Sequence, residues 1–316
     1  MLPDFSSLCQ EPRAGLRYAL TSGSESPGWK WEKPSVKQRD GNLAGARNYN
    51  IYFQYWEPDE SARAVILVVH GAGEHSARYA RFAEYFTARG YTVAALDHPN
   101  HGRSDGTYGH VERFDDFLQT LRLFHRQVSE DFAGLPVFLL GHSMGGLISS
   151  LYLLEHQAEF VGCVLSGPAI KTDIEPPWIQ LQLIRLFSAV LPRLGVLQLD
   201  ANGVSRDPAE VDKYVNDPLV NHSKMTARKV AELFRGMHRI EAEAGRITLP
   251  LLILHGGEDP MTAPAGSTFM HDNVGSLDKT LKIYPGLYHE IFNEPEREAI
   301  FGEVLAWCDQ HLEQSA

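Results

Sequence analysis

The sequence predicts an α/β fold in which a mostly parallel sheet is covered by helices on both faces. Two observations support this prediction. Short, continuously apolar segments alternate with segments of helical periodicity, and one long helical stretch interrupts the alternation. The 316 residues are enough for one large domain with an inserted subdomain. An apolar content of 43% and a charged content of 22% are typical of a globular protein.

The expected elements follow one another along the chain. Residues 1–45 are polar and rich in Gly, Ser and Pro, and we interpret them as an extension that ends in a first strand. The aromatic and β-branched or wholly apolar segments predict strands at 50–56, 64–69, 91–96, 137–140, 161–165, 249–254 and 280–284. Helical periodicity predicts helices at 79–89, 114–128, 147–156 and 295–312.

The alternation stops after Pro168, and residues 170 to about 245 carry helical patterns without a buried strand. A helical insertion between two strands, near the carboxyl ends where ligands bind, is typical of a lid or cap. We therefore divide the chain into four parts: an extension with the first strand (1–45), the first part of the core (46–168), a helical cap (169–246) and the second part of the core (247–316).

Charge and composition exclude several classes of protein. The net charge of −11, without a Lys/Arg-rich block, repels phosphate backbones, so we expect no nucleic-acid partner. The three cysteines Cys9, Cys163 and Cys308 are far apart and suggest neither a disulfide framework nor a metal site, and Cys163 lies in an apolar run expected in the core. Neither a signal peptide nor an apolar stretch of membrane-spanning length is visible, so we expect a cytoplasmic protein.

The clearest motif is Gly141-His142-Ser143-Met144-Gly145, which follows an apolar strand and opens a helix. Such a strand–turn–helix with serine at its tip is a nucleophile elbow. The turn holds Ser143 at strained backbone angles, and the glycines let the turn pack closely on its neighbours. The serine hydroxyl is thereby presented outside the sheet, where it can attack a carbonyl carbon.

A nucleophilic serine needs a base, and the base needs an acid that fixes its tautomer. In this architecture the three follow in the order Ser, Asp, His. Asp259 follows the strand that ends at Leu254, and His289 follows the strand that ends at Tyr284, so we expect Asp259 to be the acid and His289 the base. The neighbouring Glu258 is interpreted as a solvated loop charge. We assign His70, His101 and His255 to packing, like most of the 14 histidines.

The oxyanion of an acyl-transfer intermediate needs two hydrogen-bond donors. The backbone N–H of Met144, the residue after the nucleophile, is the first candidate. The loop His70-Gly71-Ala72-Gly73-Glu74-His75 follows the first buried strand, and its small residues let the backbone approach a substrate. We expect the Ala72 N–H to be the second donor. The same glycines would also serve a simple tight turn.

With these residues in place, the chain resembles the monoacylglycerol lipase branch of the α/β-hydrolases from about Asn48 to Trp307. The resemblance rests on five segments in family order. They are His70–Tyr79, Asp97–Gly106, the elbow at 141–145, Ser205–Asp207 with Asn216–Leu219, and Lys279–Tyr284. It does not extend to residues 1–45.

The resemblance implies an α/β-hydrolase fold, a serine-esterase activity on lipid esters and no cofactor or metal. It also implies that the glycerol head is held by Arg78 together with Glu210 and Tyr214 of the cap. An alternative interpretation is that Arg78 and Glu210 form an ion pair between core and cap. The apolar cap segment 177–191 is partly expected to be cap core. The resemblance favours a lipid-entry role for the remainder, as an acyl tunnel or in transient contact with a membrane surface.

The chain departs from the family after the acid. Some members carry a cysteine there, whereas Pro260-Met261-Thr262 follows Asp259 here, so thiol sensitivity at this place is not expected. The favoured function is hydrolysis of monoacylglycerol to fatty acid and glycerol through an acyl-enzyme on Ser143. The alternatives are a general carboxylesterase or lysophospholipase, an enzyme acting on small amides or peptides, and a hydrolase-like binding protein without turnover. Oligomeric state and acyl-chain preference have no sequence signal.

Overall fold

The computed structural model describes residues 36–171 and 178–315, which build a central sheet of eight strands in the order β1-β2-β4-β3-β5-β6-β9-β10. Pairing is parallel from β4 to β10, while β1 and β2 are antiparallel to their neighbours. The strands of this sheet are β1 Lys37–Ala44, β2 Asn50–Glu57, β3 Ala64–Val69, β4 Tyr91–Leu96, β5 Val137–His142, β6 Gly162–Ser166, β9 Leu251–Gly256 and β10 Lys279–Tyr284.

Five of these strands, β3 to β6 and β9, are buried at every position because helices cover both faces of the sheet. Alternate residues of β3 point to opposite faces: Val65 and Leu67 pack with one helical layer, Ile66 and Val68 with the other. One layer holds α2 Asp115–Asp131, α3 Met144–His156 and α7 Pro264–Asn273, and the other holds α1 Ala80–Thr87 and α8 Arg297–Ser315. The expected α/β-hydrolase fold is therefore present.

The carboxyl ends of the parallel strands meet at one edge of the sheet. Val69 pairs with Gly141, His142 with Ser166 and Ser166 with Leu254, and on the far side Tyr284 pairs with Gly256. The loops that follow these strands carry all the residues expected to do chemistry. The sheet register thus brings together segments that are more than two hundred residues apart in the chain.

The predicted insertion lies between β6 and β9. Its elements are α4 Trp178–Val190, β7 Gly195–Leu197, α5 Pro208–Asn216, β8 Met225–Thr226 and α6 Ala227–Glu243. Capping side chains begin two of its helices: Asp207 accepts the Ala209 N–H before α5, and Thr226 accepts the Lys229 N–H before α6. The antiparallel pair β7–β8 was not predicted, because two or three residues are too short for a periodicity signal.

Most core elements agree with the predicted ones to within three residues. The first strand lies at β1, inside the predicted extension, while residues 1–35, including Cys9, lie outside the described part of the chain. Helix α7 was not predicted, since its sequence has no apolar stripe and only three of its ten residues are buried. Cys163 and Cys308 are buried free thiols. The boundaries of the four-part division remain predictions.

None of the helices in the described residues is long and apolar enough to cross a membrane.

The turn from β5 into α3 is packed against β3 through glycine. A Cβ at Gly145 would lie 1.9 Å from the carbonyl oxygen of Val69 and 2.5 Å from that of His70. Both contacts are with backbone atoms, so no side-chain rotation can relieve them. Only glycine permits this approach between α3 and the end of β3.

We expect Gly145→Ala to lower the free energy of unfolding by about 3 kcal/mol, because the added methyl group must push two strands and a helix apart. Gly245→Ala is the matched control, since its Cβ would meet only the Asn273 carbonyl oxygen at 3.6 Å. Urea unfolding followed by circular dichroism compares the two variants. Equal losses in both would contradict the packing described for the turn.

Candidate active site

Ser143 occupies the tip of the turn with backbone angles φ 54° and ψ −122°. A non-glycine residue at positive φ costs about 1–3 kcal/mol and persists only where its surroundings enforce it. The enforcing contacts are backbone hydrogen bonds: the Ser143 N–H donates to Ser166 O, and its carbonyl accepts from the N–H groups of Gly146 and Ala169. The side chain is half-buried and lies at the carboxyl edge of the sheet.

The loop after β3 lies directly beside this serine. A Cβ on Gly71 would come within 3.0 Å of the Ser143 Cβ, so the loop backbone approaches Ser143 closely. The Gly71 N–H donates to the buried Glu74 Oε1 at 2.6 Å, which fixes the start of the loop. Met144 is the first residue of α3, so its N–H is one of the amides without a partner inside the helix. Ala72, next to Gly71, is half-buried.

Asp259 and His289 form a buried pair on the loops after β9 and β10. His289 Nδ1 lies 2.7 Å from Asp259 Oδ2, and Thr262 Oγ1 donates to the same oxygen at 2.8 Å. The other carboxylate oxygen accepts the N–H groups of Met261 and Thr262. Glu258, in contrast, is exposed. The carboxylate is therefore held in one orientation by a local turn and faces the imidazole.

A second imidazole also contacts this carboxylate. His255 Nε2 lies 3.0 Å from Asp259 Oδ2, and its Nδ1 is 2.7 Å from the Ser267 hydroxyl. Nε2 also lies 3.1 Å from the Thr262 carbonyl oxygen, and since a carboxylate and a carbonyl can only accept, Nε2 carries a proton. His255 was expected to serve packing alone, but it is a further partner of the Asp259 carboxylate.

The electrostatics of the pair follow from these contacts. Burial alone would raise the pKa of Asp259, but the His289 charge and the hydrogen bonds from the two imidazoles and Thr262 lower it below its usual range. Burial alone would lower the pKa of His289, and the Asp259 carboxylate outweighs this and raises it above the ordinary 6.5. The arrangement thus stabilises a protonated imidazole beside a carboxylate that stays ionised.

Ser143 and His289 meet at this edge without a direct hydrogen bond. Within residues 36–171 and 178–315, the Ser143 hydroxyl has no hydrogen-bond partner. The ring of His142, the residue before the serine, lies 4.7 Å from the ring of His289. Burial and the neighbouring His289 lower the pKa of His142 to about 4, so this ring is neutral. Hydrogen bonds between nucleophile and base are often long in substrate-free enzymes and shorten in complexes.

Arg78 is enclosed by two carboxylates. It donates to both oxygens of Glu290, at 2.5 and 2.7 Å, and to Glu74 Oε2 at 3.2 Å. Glu74 also anchors Gly71 in the loop after β3, and Glu290 directly follows His289 in the chain. Arg78 therefore joins the loop after β3 to the loop that carries the imidazole.

Of the three residues expected to hold glycerol, Arg78 and Tyr214 contact each other, whereas Glu210 has other partners. The guanidinium of Arg78 stacks on the Tyr214 ring at 4.7 Å. Glu210 instead accepts from Arg81 Nη1 and Lys213 Nζ, each at 2.8 Å. The alternative ion pair between Arg78 and Glu210 is therefore wrong, because both side chains have other partners. Arg78 and Arg81 do line one small cavity, which reaches His142.

Sequence reasoning missed Glu74, Glu290, His255 and Thr262. Glu74 and His255 stand in segments that had been singled out, but nothing in a sequence shows which buried carboxylate an arginine will face. In the described part of the chain, no group of three or more His, Cys, Asp or Glu side chains is arranged to hold a metal ion.

Comparison with known proteins agrees with the fold described above. Residues 60–296 match the family model described as serine aminopeptidase, S33. A monoacylglycerol lipase from Mycolicibacterium smegmatis is 37% identical over 88% of this chain and 99% of its own length. A human monoglyceride lipase is 35% identical over 85% of this chain and 90% of its own length.

Solved structures give the same result. The crystal structure of a monoacylglycerol lipase from Paleococcus ferrophilus matches with a TM-score of 0.73 and 32% identity, and the match covers 83% of this chain and 99% of that one. The chain therefore belongs to the serine aminopeptidase S33 family of α/β-hydrolases, in the branch of the monoacylglycerol lipases.

Proposed function

We propose that this protein is a serine hydrolase that cleaves monoacylglycerol to a fatty acid and glycerol. One observation supports the proposal above all others. A serine at strained backbone angles stands at the same sheet edge as a buried imidazole whose Nδ1 is 2.7 Å from a carboxylate. Membership of the family, and the printed names of its relatives, support the choice of a lipid ester as substrate.

In the proposed acylation step, His289 Nε2 takes the proton of the Ser143 hydroxyl while Oγ attacks the ester carbonyl carbon. Asp259 stabilises the imidazolium that forms and holds its Nδ1–H in place. The negative carbonyl oxygen accepts the N–H groups of Ala72 and Met144, two donors that could supply several kcal/mol in the transition state.

Collapse of this intermediate breaks the bond to the glycerol oxygen, and His289 returns its proton to that oxygen. Glycerol leaves and the acyl group remains on Ser143. A water molecule then repeats the sequence: His289 takes its proton, the hydroxide attacks the acyl carbonyl, and the fatty acid is released with Ser143 restored. No step needs a metal or a cofactor.

On the alcohol side we propose that Arg78, Glu210 and Tyr214 contact glycerol. Arg78 and Tyr214 already stack on each other next to the oxyanion loop. Glu210 belongs to the same cap helix as Tyr214, and its partner Arg81 lines a cavity with Arg78 and His142. A triol needs donors and acceptors of both kinds, and a carboxylate with a guanidinium and a phenol provides them.

We propose that the acyl chain of the substrate lies under the cap and that the cap transiently contacts a membrane surface. Helix α4 and the segment after it expose large apolar side chains, with exposed fractions between 37% and 66%. These residues are Ile179, Leu183, Leu186, Phe187, Val190 and Leu191. A cluster of this kind on one insertion is typical of a lipid or partner contact. The cytoplasmic location expected from the sequence also stays a prediction.

A general carboxylesterase or a lysophospholipase would use the same catalytic residues, and so would an enzyme acting on small amides. A substrate panel separates them: monoacylglycerols against di- and triacylglycerols, lysophospholipids, short p-nitrophenyl esters and small amides. We expect the highest kcat/KM for monoacylglycerols. A binding protein without turnover would be inactive on the whole panel.

Substitution of Ser143 tests its proposed role as the nucleophile. Ser143→Ala should lower kcat on a p-nitrophenyl ester roughly ten-thousandfold, because no acyl-enzyme can form, with an unchanged circular dichroism spectrum. A fluorophosphonate probe should label the natural protein once, at Ser143. Ser129→Ala, in the last turn of α2, is the control and should keep full activity. Near-normal turnover in the Ser143 variant would contradict the assignment of Ser143 as the nucleophile.

The second prediction concerns the acid. His289 must be neutral to act as a base, and its pKa is raised. As the pH increases, kcat/KM should therefore rise with the deprotonation of His289, with a midpoint above pH 6.5. Asp259→Asn removes the carboxylate that raises this pKa and stabilises the wrong tautomer. The substitution should lower kcat about 10⁴-fold and shift the midpoint of the pH profile of kcat/KM to lower pH.

Glu258→Gln is the matched control for the acid, because Glu258 is adjacent and exposed. It should change kcat less than about threefold, as expected for a solvated charge. Exchanged results for the two variants would mean that the orienting carboxylate is Glu258.

The third prediction concerns the alcohol. If Glu210 contacts glycerol, Glu210→Ala should reduce kcat/KM for a monoacylglycerol roughly tenfold more than for the p-nitrophenyl ester of the same acyl chain, since hydrogen bonds to charged groups are worth about 1.5–3 kcal/mol. The variant also leaves Arg81 and Lys213 without this partner, so the ratio of the two changes is the readout. Glu243→Ala, a second cap carboxylate with two arginine partners, should leave the ratio unchanged. Equal losses on both substrates would make Glu210 a structural residue.

A further inference from the structure

A buried lysine of the cap has no part in the mechanism above. Lys229, the third residue of α6, is 1% exposed. No carboxylate of the described residues lies within 4 Å of its ammonium group, whereas the buried Arg78 pairs with two carboxylates, as a deeply buried cation normally does with at least one. Its hydrogen-bond partner is His101 Nε2 at 3.3 Å.

The partner of Lys229 brings no negative charge. His101 Nδ1 lies 2.9 Å from the carbonyl oxygen of Pro99, and since a carbonyl can only accept, Nδ1 carries the proton and Nε2 accepts from Lys229. Behind His101 stand the buried rings of His98 and His70. Burial lowers the pKa of all three imidazoles, so this side of the lysine is neutral.

The helix also disfavours a cation at this place. The first turn of α6 contains no acidic residue, and the amino end of a helix carries a partial positive charge. Burial lowers the pKa of Lys229 to about 8, which leaves the amine mostly protonated at neutral pH. The side chain therefore keeps an ammonium group with one neutral partner and two further N–H donors without an acceptor among the described residues. A group of this kind is suited to an anion.

Lys229 lines a small cavity on the alcohol side of the proposed site. The cavity also borders Ala72 and Gly73 of the loop after β3, and its other polar neighbours are Tyr214, Asn221, His222 and Ser223. Tyr214 is the residue that stacks on Arg78 and is proposed to contact glycerol. Five of the nine lining residues are polar and only Leu199 and Met225 are large and apolar, so the cavity suits a charged substituent on the glycerol better than an acyl chain.

We propose that Lys229 and Tyr214 form an anion subsite for a phosphate on the glycerol, so that the enzyme also accepts monoacylglycerol phosphates. This inference rests on the proposed function, because it uses the same nucleophile and the same ester bond. Water adds across the acyl ester, a fatty acid and glycerol phosphate leave, and the phosphate ester is not broken. The ammonium group pairs with one phosphate oxygen, and the Tyr214 hydroxyl donates a hydrogen bond to another.

The kinetic test compares a monoacylglycerol with its 3-phosphate ester of the same acyl chain in the same detergent micelles at pH 7. We expect the natural protein to cleave both. Lys229→Met keeps the aliphatic stem without the charge, and it should reduce kcat/KM at least tenfold more for the phosphate ester than for the neutral lipid. Lys229→Arg should restore most of that ratio. Lys279→Met, on the edge strand β10, removes one lysine charge elsewhere and should leave the ratio unchanged.

A second measurement reads binding without turnover of a lipid. Glycerol 3-phosphate should slow fluorophosphonate labelling of Ser143 in the natural protein but not in Lys229→Met. Glycerol and inorganic phosphate at equal concentration should have little effect, since each provides only half of the ligand. Because labelling does not depend on monoacylglycerol turnover, failure of the proposed substrate and failure of this subsite can be told apart.

Three results would overturn the inference. The first is an equal loss on both lipids in Lys229→Met, which would make the lysine a structural tie to His101. The second is the absence of protection by glycerol 3-phosphate in the natural protein. The third is equal protection by inorganic phosphate, which would indicate a site for free phosphate and not for the substrate.

Discussion

The strained turn at Ser143 is the constraint on which the site depends. Its positive φ is possible because β5, α3 and the end of β3 are packed so closely that a methyl group at Gly145 would meet backbone oxygens. The same approach sets the loop after β3 beside the serine, since a Cβ on Gly71 would lie 3.0 Å from the Ser143 Cβ. Relaxing the turn would therefore displace both the nucleophile and the donors proposed for the oxyanion. The strain of one residue is offset by the packing of the whole sheet.

Two buried charge clusters flank this turn. On one side Asp259 is surrounded by His289, His255 and Thr262, so the carboxylate stays ionised and the imidazole is oriented. On the other side Arg78 pairs with Glu74 and Glu290 and so connects the loop after β3 with the loop that carries His289. Each cluster contains its own counter-charges, as buried ions require. Lys229 has no such counter-charge among residues 36–171 and 178–315, and this difference distinguishes it from the buried Arg78.

Much of the fold could be predicted from the sequence because a parallel sheet covered on both faces leaves a strong signal. The fully buried strands β3 and β4 are uninterrupted apolar runs, and both were predicted with their observed ends. Helix α7 was not predicted because it has no apolar stripe, and the β7–β8 pair was not predicted because its strands are too short. Chain order and motif position led to Ser143, Asp259 and His289. The partners of Arg78 and Glu210 could not be read in this way, because ion pairs across loops depend on side-chain geometry and not on spacing.

In the proposed mechanism, Ser143 attacks a carbonyl carbon whose oxygen accepts the N–H groups of Ala72 and Met144. A crystal structure of the protein inactivated by an alkyl fluorophosphonate tests it most directly, since the tetrahedral phosphorus mimics the reaction intermediate. We expect a covalent bond from Ser143 Oγ to phosphorus, the phosphoryl oxygen about 3 Å from both amide nitrogens, and His289 Nε2 within hydrogen-bond reach of Oγ. Phosphorus bound to another residue, or a phosphoryl oxygen turned away from the two amides, would contradict the account.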